Sequence, residues 1–474
     1  MQPQNLLFIM SDEHSAKALG VTGHPVVKTP NLDALAARGT LFSNAYTPSP
    51  ICVPARAAFA TGRHVHDIGA WDNAHPYDGT PPGWGHVLQA AGRPVLSIGK
   101  LHYRNEAAPT GFDTQIRPMH VVDGRGDVYG AIKNPMPIRF GGAKFSREIG
   151  PGESGYTHYD RAIAEEAARW LTDEAPTADG HWVLFVSFVC PHFPLIAPEP
   201  FFALYDPVEM ALPKDYRHRP RHPWIEAYAE AQPYDSFFND EARRVAIASY
   251  YGLCSFLDDN IGRVLAALSD AGLAETTRII YTSDHGESLG ARGLWGKSNM
   301  YEEAVRVPLV AAGPDIPVGC ICDSPASLLD CHPAILEGAG LDTDIALPGR
   351  SLWTLGDDPA RAVFSEYHAS GAVSGCFMLR QGQWKLIHYI GFEPELFDLE
   401  ADPEERRNLA AGEPAIVARL MATLWEVCDP DEVHHRARAS QDALVEAHGG
   451  RRAVMRAGAF SGTPAPGDKP VFTV

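Results

Sequence analysis

No apolar run in this 474-residue chain approaches the roughly 20 residues that a membrane-spanning helix needs. The opening MQPQNLLFIMSDEH has no basic n-region, and its apolar stretch is shorter than a signal h-region. It reads instead as a first strand, with a cytoplasmic location and no membrane partner expected. Positive charge is also in short supply. Lys plus Arg number 40 against 59 Asp plus Glu, a formal charge of −19, which argues against nucleic acid or an anionic membrane as the main partner. An anionic substrate would have to meet a local basic pocket. The eight cysteines, at 52, 190, 254, 320, 322, 331, 376 and 428, lack disulfide-framework spacing and fit a reducing compartment. There is no CxxC pair, so Cys320-Ile321-Cys322 and Cys331-His332 suggest a metal site only superficially. ASLLDCHPAILEGAG reads better as an apolar-faced helix. No internal repeat is present.

What the chain does contain is an ordinary soluble composition, 45% apolar and 21% charged, long enough for one large α/β domain and a smaller one. NLLFIM ends at Ser11-Asp12-Glu13, which places carboxylates at the carboxyl edge of a buried parallel strand. TPNLDALAARG has helical spacing with a terminal glycine, and GTLFSNAYT follows as a short strand. HVLQAAG at 86–92 predicts a helix, and RPVLSIGKLHY a strand carrying Lys100 and His102, which two-residue spacing puts on one side of an extended segment. Residues 104–157 read as a long Gly/Pro-rich loop region. HYDRAIAEEAARWLTDEA is an amphipathic helix feeding the apolar strand HWVLFVSFVC, which stops at Pro191-His192. An irregular insertion spans 196–240. A long helix then leads to TTRIIYTSDHGE, a strand followed by Asp284-His285-Gly286 and a loop holding Lys297.

The expected fold is therefore a mostly parallel α/β sheet with helices on both faces over 1–360. A C-terminal subdomain at 361–457 is expected to hold a small antiparallel sheet closed by a capped helix, with a final helix at 413–428. An extended tail covers 458–474.

The most distinctive stretch is PSPICVPARAAFATGR at 48–63. Cys52, Pro54 and Arg56 fall within five residues at a predicted helix start, where unpaired N–H groups and a guanidinium suit a tetrahedral oxyanion. Other charged groups collect at predicted strand ends: Asp12 and Glu13, Asp284 and His285, Lys100 and His102, and His192. Asp and His side chains suit a divalent cation, and Lys, Arg and His suit the oxygens of an anion.

Cys-x-Pro-x-Arg followed by Thr-Gly resembles the sulfatase maturation signature, in which the cysteine is oxidised to formylglycine. FIMSDEH, TPNLDALAARGTLFSNAYTPSPICVPARAAFATG, WDNA, SIGKLHY, PHFP, TSDHGESLGARGLWGKSNMYEEAVRVPL and ELFDLEADPEERRNL extend the likeness over roughly residues 4–410. The chain resembles a type I sulfatase of the alkaline-phosphatase superfamily, nearest its choline-sulfatase-like and phosphonate-monoester-hydrolase-like branch.

That resemblance implies an alkaline-phosphatase-like fold and hydrolysis of small aryl or alkyl sulfate monoesters through a covalent sulfo-enzyme. It implies a divalent metal, Ca²⁺ or Mn²⁺ ahead of Mg²⁺, held by Asp12, Asp284, His285 and the formylglycine hydrate derived from Cys52. The role of Glu13 stays open. Arg56, Lys100 and Lys297 would hold sulfuryl oxygens and Asn73 would add a donor. His192 with Lys297 would protonate the leaving alcohol, and His102 would deprotonate the hemiacetal to expel sulfate. The implied partners are a small sulfate ester, a formylglycine-generating maturation system and, from the extended tail, further copies of the chain in a dimer or tetramer. Phosphonate-monoester or phosphodiester hydrolysis by the same nucleophile, and choline sulfatase activity, are the alternatives. Lys100 and His102 stand where the phosphonate branch has Tyr and Thr, which favours sulfate.

Overall fold

The computed structural model describes residues 4–342, 347–460, 462–470 and 472–473. Its centre is an eight-stranded sheet. In chain order the strands are β1 (Asn5–Asp12), β2 (Gly39–Phe42), β3 (Val95–Lys100), β4 (Thr114–Met119), β5 (Val183–Pro191), β6 (Thr277–Ser283), β7 (Leu309–Ala312) and β8 (Cys320–Cys322). Across the sheet they run β8-β2-β7-β6-β1-β5-β3-β4, and only β7 is antiparallel to its neighbours.

The apolar run of β1 is continuous because both of its faces are covered. Leu7 and Ile9 join a core with Leu32 and Leu35 of helix α1 (Pro30–Ala37) and with two long helices of the same face. Leu6, Phe8 and Met10 point the other way, toward Phe59 of α2 (Cys52–Thr61) and Trp84 and Leu88 of α3 (Trp84–Ala90). The long helices are α4 (Gly155–Asp173), capped by Ser154, and α5 (Asp240–Asp270), capped by Asn239. Helix α6 (Cys331–Gly338) covers the α2 face, as its apolar pattern predicts.

Register is what gathers the site. Asp12 pairs with Pro191, Ser11 with Ser283, and Gly99 with Ser187, so the carboxyl ends of β1, β3, β5 and β6 finish at one level. Gly99 takes a φ of 100°, and a Cβ there would lie 2.2 Å from the Ser187 carbonyl oxygen. The close approach of β3 to β5 just before Lys100 thus requires glycine.

Beyond this sheet, β9 (Ala362–Tyr367), β10 (Cys376–Gln381), β11 (Trp384–Tyr389) and β12 (Glu395–Asp398) form an antiparallel sheet in chain order. One face packs on Trp224, Tyr228 and Tyr301; the other is covered by α7 (Pro414–Val427) and α8 (Pro430–Ala447).

Three local readings change. The loop region 104–157 contains β4, an edge strand whose Arg117 and Pro118 break any alternating pattern. Helix does not end at 428: residues 430–447 form α8, which buries Val433 and Ala437 under the small sheet. The tail packs on its own chain: Ala465 joins the main core and Asp468 lies against Gly155. Ser461, Val471 and Val474 of that tail lie outside the described residues.

Candidate active site

Cys52 is the first residue of α2, entered from an extended Ile51, and every residue of the helix is buried. Pro54 falls in the first turn, where a missing N–H removes no helical bond. Four residues on, Arg56 lies on the same helix face as Cys52. The sequence places the two side by side because helical spacing stacks i and i+4.

Four groups converge at this helix start. Cys52 Sγ lies 3.1 Å from His285 Nε2 and 3.7 Å from Asp12 Oδ1, and His285 Nε2 is 3.6 Å from both Asp12 Oδ1 and Asp284 Oδ1. Their potential ligand atoms all lie within 4.8 Å of one another, and all four residues are buried. His285 Nδ1 lies 3.1 Å from the carbonyl oxygen of Gly286, a contact in which a ring N–H donates and Nε2 keeps its lone pair. Gly286 itself is obligatory: a Cβ there would sit 2.1 Å from the Glu303 carbonyl oxygen. Two carboxylates, an imidazole nitrogen and the Cys52 position thus make a donor set that fits a divalent cation.

Around this group stand the cations. Lys100 Nζ donates to Asp12 Oδ2. Arg56 Nε donates to Asp284 Oδ2 at 2.7 Å, and its Nη1 donates to the Lys100 carbonyl and Ser187 Oγ, both at 2.9 Å. Its Nη2 lies 3.6 Å from Asp12 Oδ2. Burial opposes ionisation of Asp12, yet the positive charges of Lys100 and Arg56 outweigh it and hold the carboxyl well below its ordinary range. The same burial, with the Asp12 carboxylate beside it, pushes the Cys52 thiol up to about 12. An unmodified thiol here is a poor nucleophile near neutral pH.

A second cluster lies alongside. Lys297 Nζ donates to Glu13 Oε2 at 2.8 Å and reaches His192 Nε2 at 2.7 Å, while His192 Nδ1 donates to the Phe193 carbonyl at 2.6 Å. Burial and the Lys297 ammonium keep His192 well below its ordinary value, so the proton of the pair resides on lysine. Glu13 stands at a φ of 70° and is outside the four-residue group. Burial and Glu287 push its carboxyl above the usual range, against the pull of Lys297. Besides accepting from Lys297, Glu13 forms a second buried group with Asp12 and His192 whose potential ligand atoms lie within 4.8 Å of one another.

The cavity above is lined by Cys52, Asn73, Lys100, His102, His192 and Lys297. Asn73 Oδ1 accepts the Val53 N–H at 3.2 Å, which leaves its amide nitrogen as donor. Lys100 ends β3 and His102 has a φ of 58°, so the extended segment expected through both stops at Lys100; a left-handed turn brings His102 to the same cavity. Arg56 does not line the cavity and lies behind Cys52, bonded to the carboxylates.

The outer wall adds residues that the sequence did not single out: Asp127, Arg139, Tyr156, Gln232, Tyr234 and Thr463. Apart from Tyr156, at the start of α4, they come from loops, a short helix and the tail, with no motif to mark them. Ser187 was findable, as the lone polar residue within the apolar run VLFVSFVC.

A buried group that fits a divalent cation and the basic side chains around it sit at the carboxyl edge of a doubly covered, mostly parallel sheet, as in alkaline-phosphatase-like hydrolases. Residues 4–341 match the sulfatase family, and residues 290–429 match the C-terminal region of N-sulphoglucosamine sulphohydrolase. The chain belongs to the sulfatase family and is a sulfuric ester hydrolase. It is 32% identical to a choline-sulfatase of Rhizobium meliloti (strain 1021), over 96% of this chain and 91% of that protein. It is 29% identical to arylsulfatase K of Danio rerio, over 90% and 84%. The phosphonate monoester hydrolase of Agrobacterium radiobacter shares the fold, with a TM-score of 0.71, 24% identity, and coverage of 90% of this chain and 95% of that one. Among the described residues, no helix is long and apolar enough to cross a membrane.

Proposed function

We propose that this chain hydrolyses small aryl or alkyl sulfate monoesters with a formylglycine hydrate at position 52 as nucleophile. The observation that carries the reading is the seat of Cys52: at a helix start, 3.1 Å from His285 Nε2, and with its own thiol pushed up to about 12. A sulfur so poorly ionised is better explained as the precursor of an oxygen nucleophile than as the nucleophile itself.

Asp12, Asp284 and His285, with an oxygen at position 52, would hold the divalent metal; Ca²⁺ and Mn²⁺ suit this donor set ahead of Mg²⁺. When present, the metal and the hydrate together supply an ionised hydroxyl for in-line attack on sulfur. The remaining work falls to side chains already in place. Lys100, Lys297 and the Asn73 amide nitrogen hold sulfuryl oxygens and offset the charge that develops on them. Arg56, whose Nε and Nη1 are bonded to Asp284, the Lys100 carbonyl and Ser187, orients the metal carboxylates from behind. The Lys297–His192 pair delivers a proton to the leaving alcohol, with Glu13 fixing the lysine. His102, neutral because burial and Lys100 lower it, serves as the base that completes the cycle.

Paired kinetics on 4-nitrophenyl sulfate and a 4-nitrophenyl phosphonate test the preference. The expected result is a higher kcat/KM for the sulfate; a higher value for the phosphonate would transfer the chain to phosphonate-monoester hydrolysis. Choline sulfate is a second reading. The identity to a choline-sulfatase favours it, as do Tyr156, Phe193, Tyr228, Tyr234 and Trp295 around the cavity, since aromatic faces attract quaternary ammonium groups. Against it, Asp127 Oδ2 is already paired with Arg139 at 2.6 Å. Adding choline sulfate to the same comparison decides between them.

A further inference from the structure

The C-terminal tail reaches the catalytic cavity, where Gly462 and Thr463 line it beside Cys52, Lys100, His102 and His192. Thr463 Oγ1 lies 2.7 Å from His102 Nε2, and the Thr463 carbonyl accepts the Tyr156 hydroxyl. His102 is 5% exposed and Thr463 8%. The other ring nitrogen, His102 Nδ1, is buried with no hydrogen-bond partner. The backbone of His102 is fixed as well, its N–H donating to the Met119 carbonyl at 2.8 Å. One nitrogen is therefore tied to the tail and the other is bare.

We propose that Thr463 is a positioning residue that holds His102 as the Nε2–H tautomer, so that Nδ1 presents the lone pair that acts as base in sulfate release. This deepens the sulfatase reading and rests on it.

Two arrangements of the Thr463–His102 bond are available, and they leave different atoms unsatisfied. If the threonine hydroxyl donated to Nε2, the ring proton would sit on Nδ1, a buried donor without an acceptor. The ring is flanked by Lys100 and Arg56, whose positive charges disfavour another donor dipole beside them. If Nε2–H donates to Oγ1, Nδ1 is left as a lone pair, which neighbouring cations attract. The second arrangement satisfies the ring donor and leaves Nδ1 as the lone pair that the reaction uses, with the Thr463 hydroxyl proton turned to the cavity that Thr463 lines. In that step Nδ1 takes a proton from a hydroxyl on the carbon bearing the sulfate. The oxygen keeps its electron pair and closes to a carbonyl, and the C–O bond to sulfate breaks with its pair leaving on sulfate. Addition of water then restores the hydrate, and the imidazolium, still held by Thr463, returns its proton to solvent. Nothing in the sequence marks this residue, because His102 and Thr463 lie 361 residues apart.

The test uses full-length protein labelled with ¹⁵N-histidine, as wild type, Thr463→Val and Thr463→Ser, with His102→Asn to assign the signal. Imidazole ¹⁵N shifts read the tautomer without any requirement for turnover. The expected result is a protonated Nε2 at His102 in wild type and in Thr463→Ser, and a mixed tautomer in Thr463→Val. With 4-nitrophenyl sulfate, Thr463→Val should keep a nitrophenolate burst and then turn over on the order of 10- to 100-fold more slowly, with Thr463→Ser close to wild type. A protonated Nδ1 in wild type would overturn the proposal, and that spectrum decides even if Thr463→Val does not fold. So would a Thr463→Val enzyme with unchanged tautomer, or with a shifted tautomer and unchanged turnover. Failure of the sulfatase reading would look different: wild-type enzyme giving neither burst nor turnover.

Discussion

The floor beneath the cavity and the wall around it are built on different principles. The floor, comprising Asp12, Cys52, Arg56, Lys100, Asp284 and His285, sits on three parallel strand ends and one helix start, and all six residues are buried. Each is fixed by a second contact, such as Arg56 on Asp284 and Ser187 or His285 on the Gly286 carbonyl. The wall, with Asp127, Arg139, Gln232, Tyr234 and Thr463, is assembled from loops, short helices and the tail. Ladder register fixes the floor, whereas wall positions can be exchanged without disturbing the sheet. Under the proposed function, the floor carries the nucleophile and its charge partners, and the wall chooses the alcohol.

The sharpest way to separate them is to remove the floor's centre. Cys52→Ala should lower kcat on 4-nitrophenyl sulfate by on the order of 10⁴-fold or more while leaving the fold intact; wild-type-like turnover would dissolve the distinction. Next in size is Arg56→Lys, since an ammonium cannot span Asp284, Ser187 and the Lys100 carbonyl together. Metal affinity should drop by roughly 10- to 100-fold in a chelator titration, though Arg56 does not line the cavity.

A pH experiment probes the frame beneath the floor. His14 is buried, with Nδ1 2.6 Å from the Tyr281 hydroxyl and Nε2 2.7 Å from the Ala18 carbonyl, and burial lowers it to about 4. Protonation therefore favours the unfolded chain. Its contribution to stability is present above the ordinary value of 6.5 and is lost as pH falls toward 4. Across that window the fall in denaturant midpoint should be smaller in His14→Gln than in wild type, by an amount corresponding to about 3 kcal/mol. The smallest effect is expected at the wall: Asp127→Asn, which loosens the 2.6 Å pair with Arg139, should change KM by less than about tenfold and differently for alkyl and aryl sulfates, with kcat on the aryl ester kept.

The same contrast explains what the sequence disclosed. Strand ends announce themselves, because an apolar run that stops at Ser11-Asp12 or Ser283-Asp284-His285 can only leave those groups at the sheet edge. The strand pattern, the helix start at Cys52 and the residues of the floor were therefore legible. What Arg56 faces was not: spacing brings it beside Cys52, while its partners depend on β5 lying next to β3, a tertiary fact. Glu13 is similar, since its left-handed backbone turns it toward Lys297. β4 and α8 escaped because their sequences carry neither alternation nor an apolar stripe strong enough to stand out. Thr463 has no local signature at all; only the folded tail brings it to His102.

The most direct test of the central claim is peptide mass spectrometry of the segment containing Cys52, taken from active enzyme made in its native host. The account predicts that the peptide carries formylglycine, with the thiol replaced by an aldehyde and its hydrate, in proportion to specific activity. Fully active enzyme carrying only the unmodified thiol would contradict it.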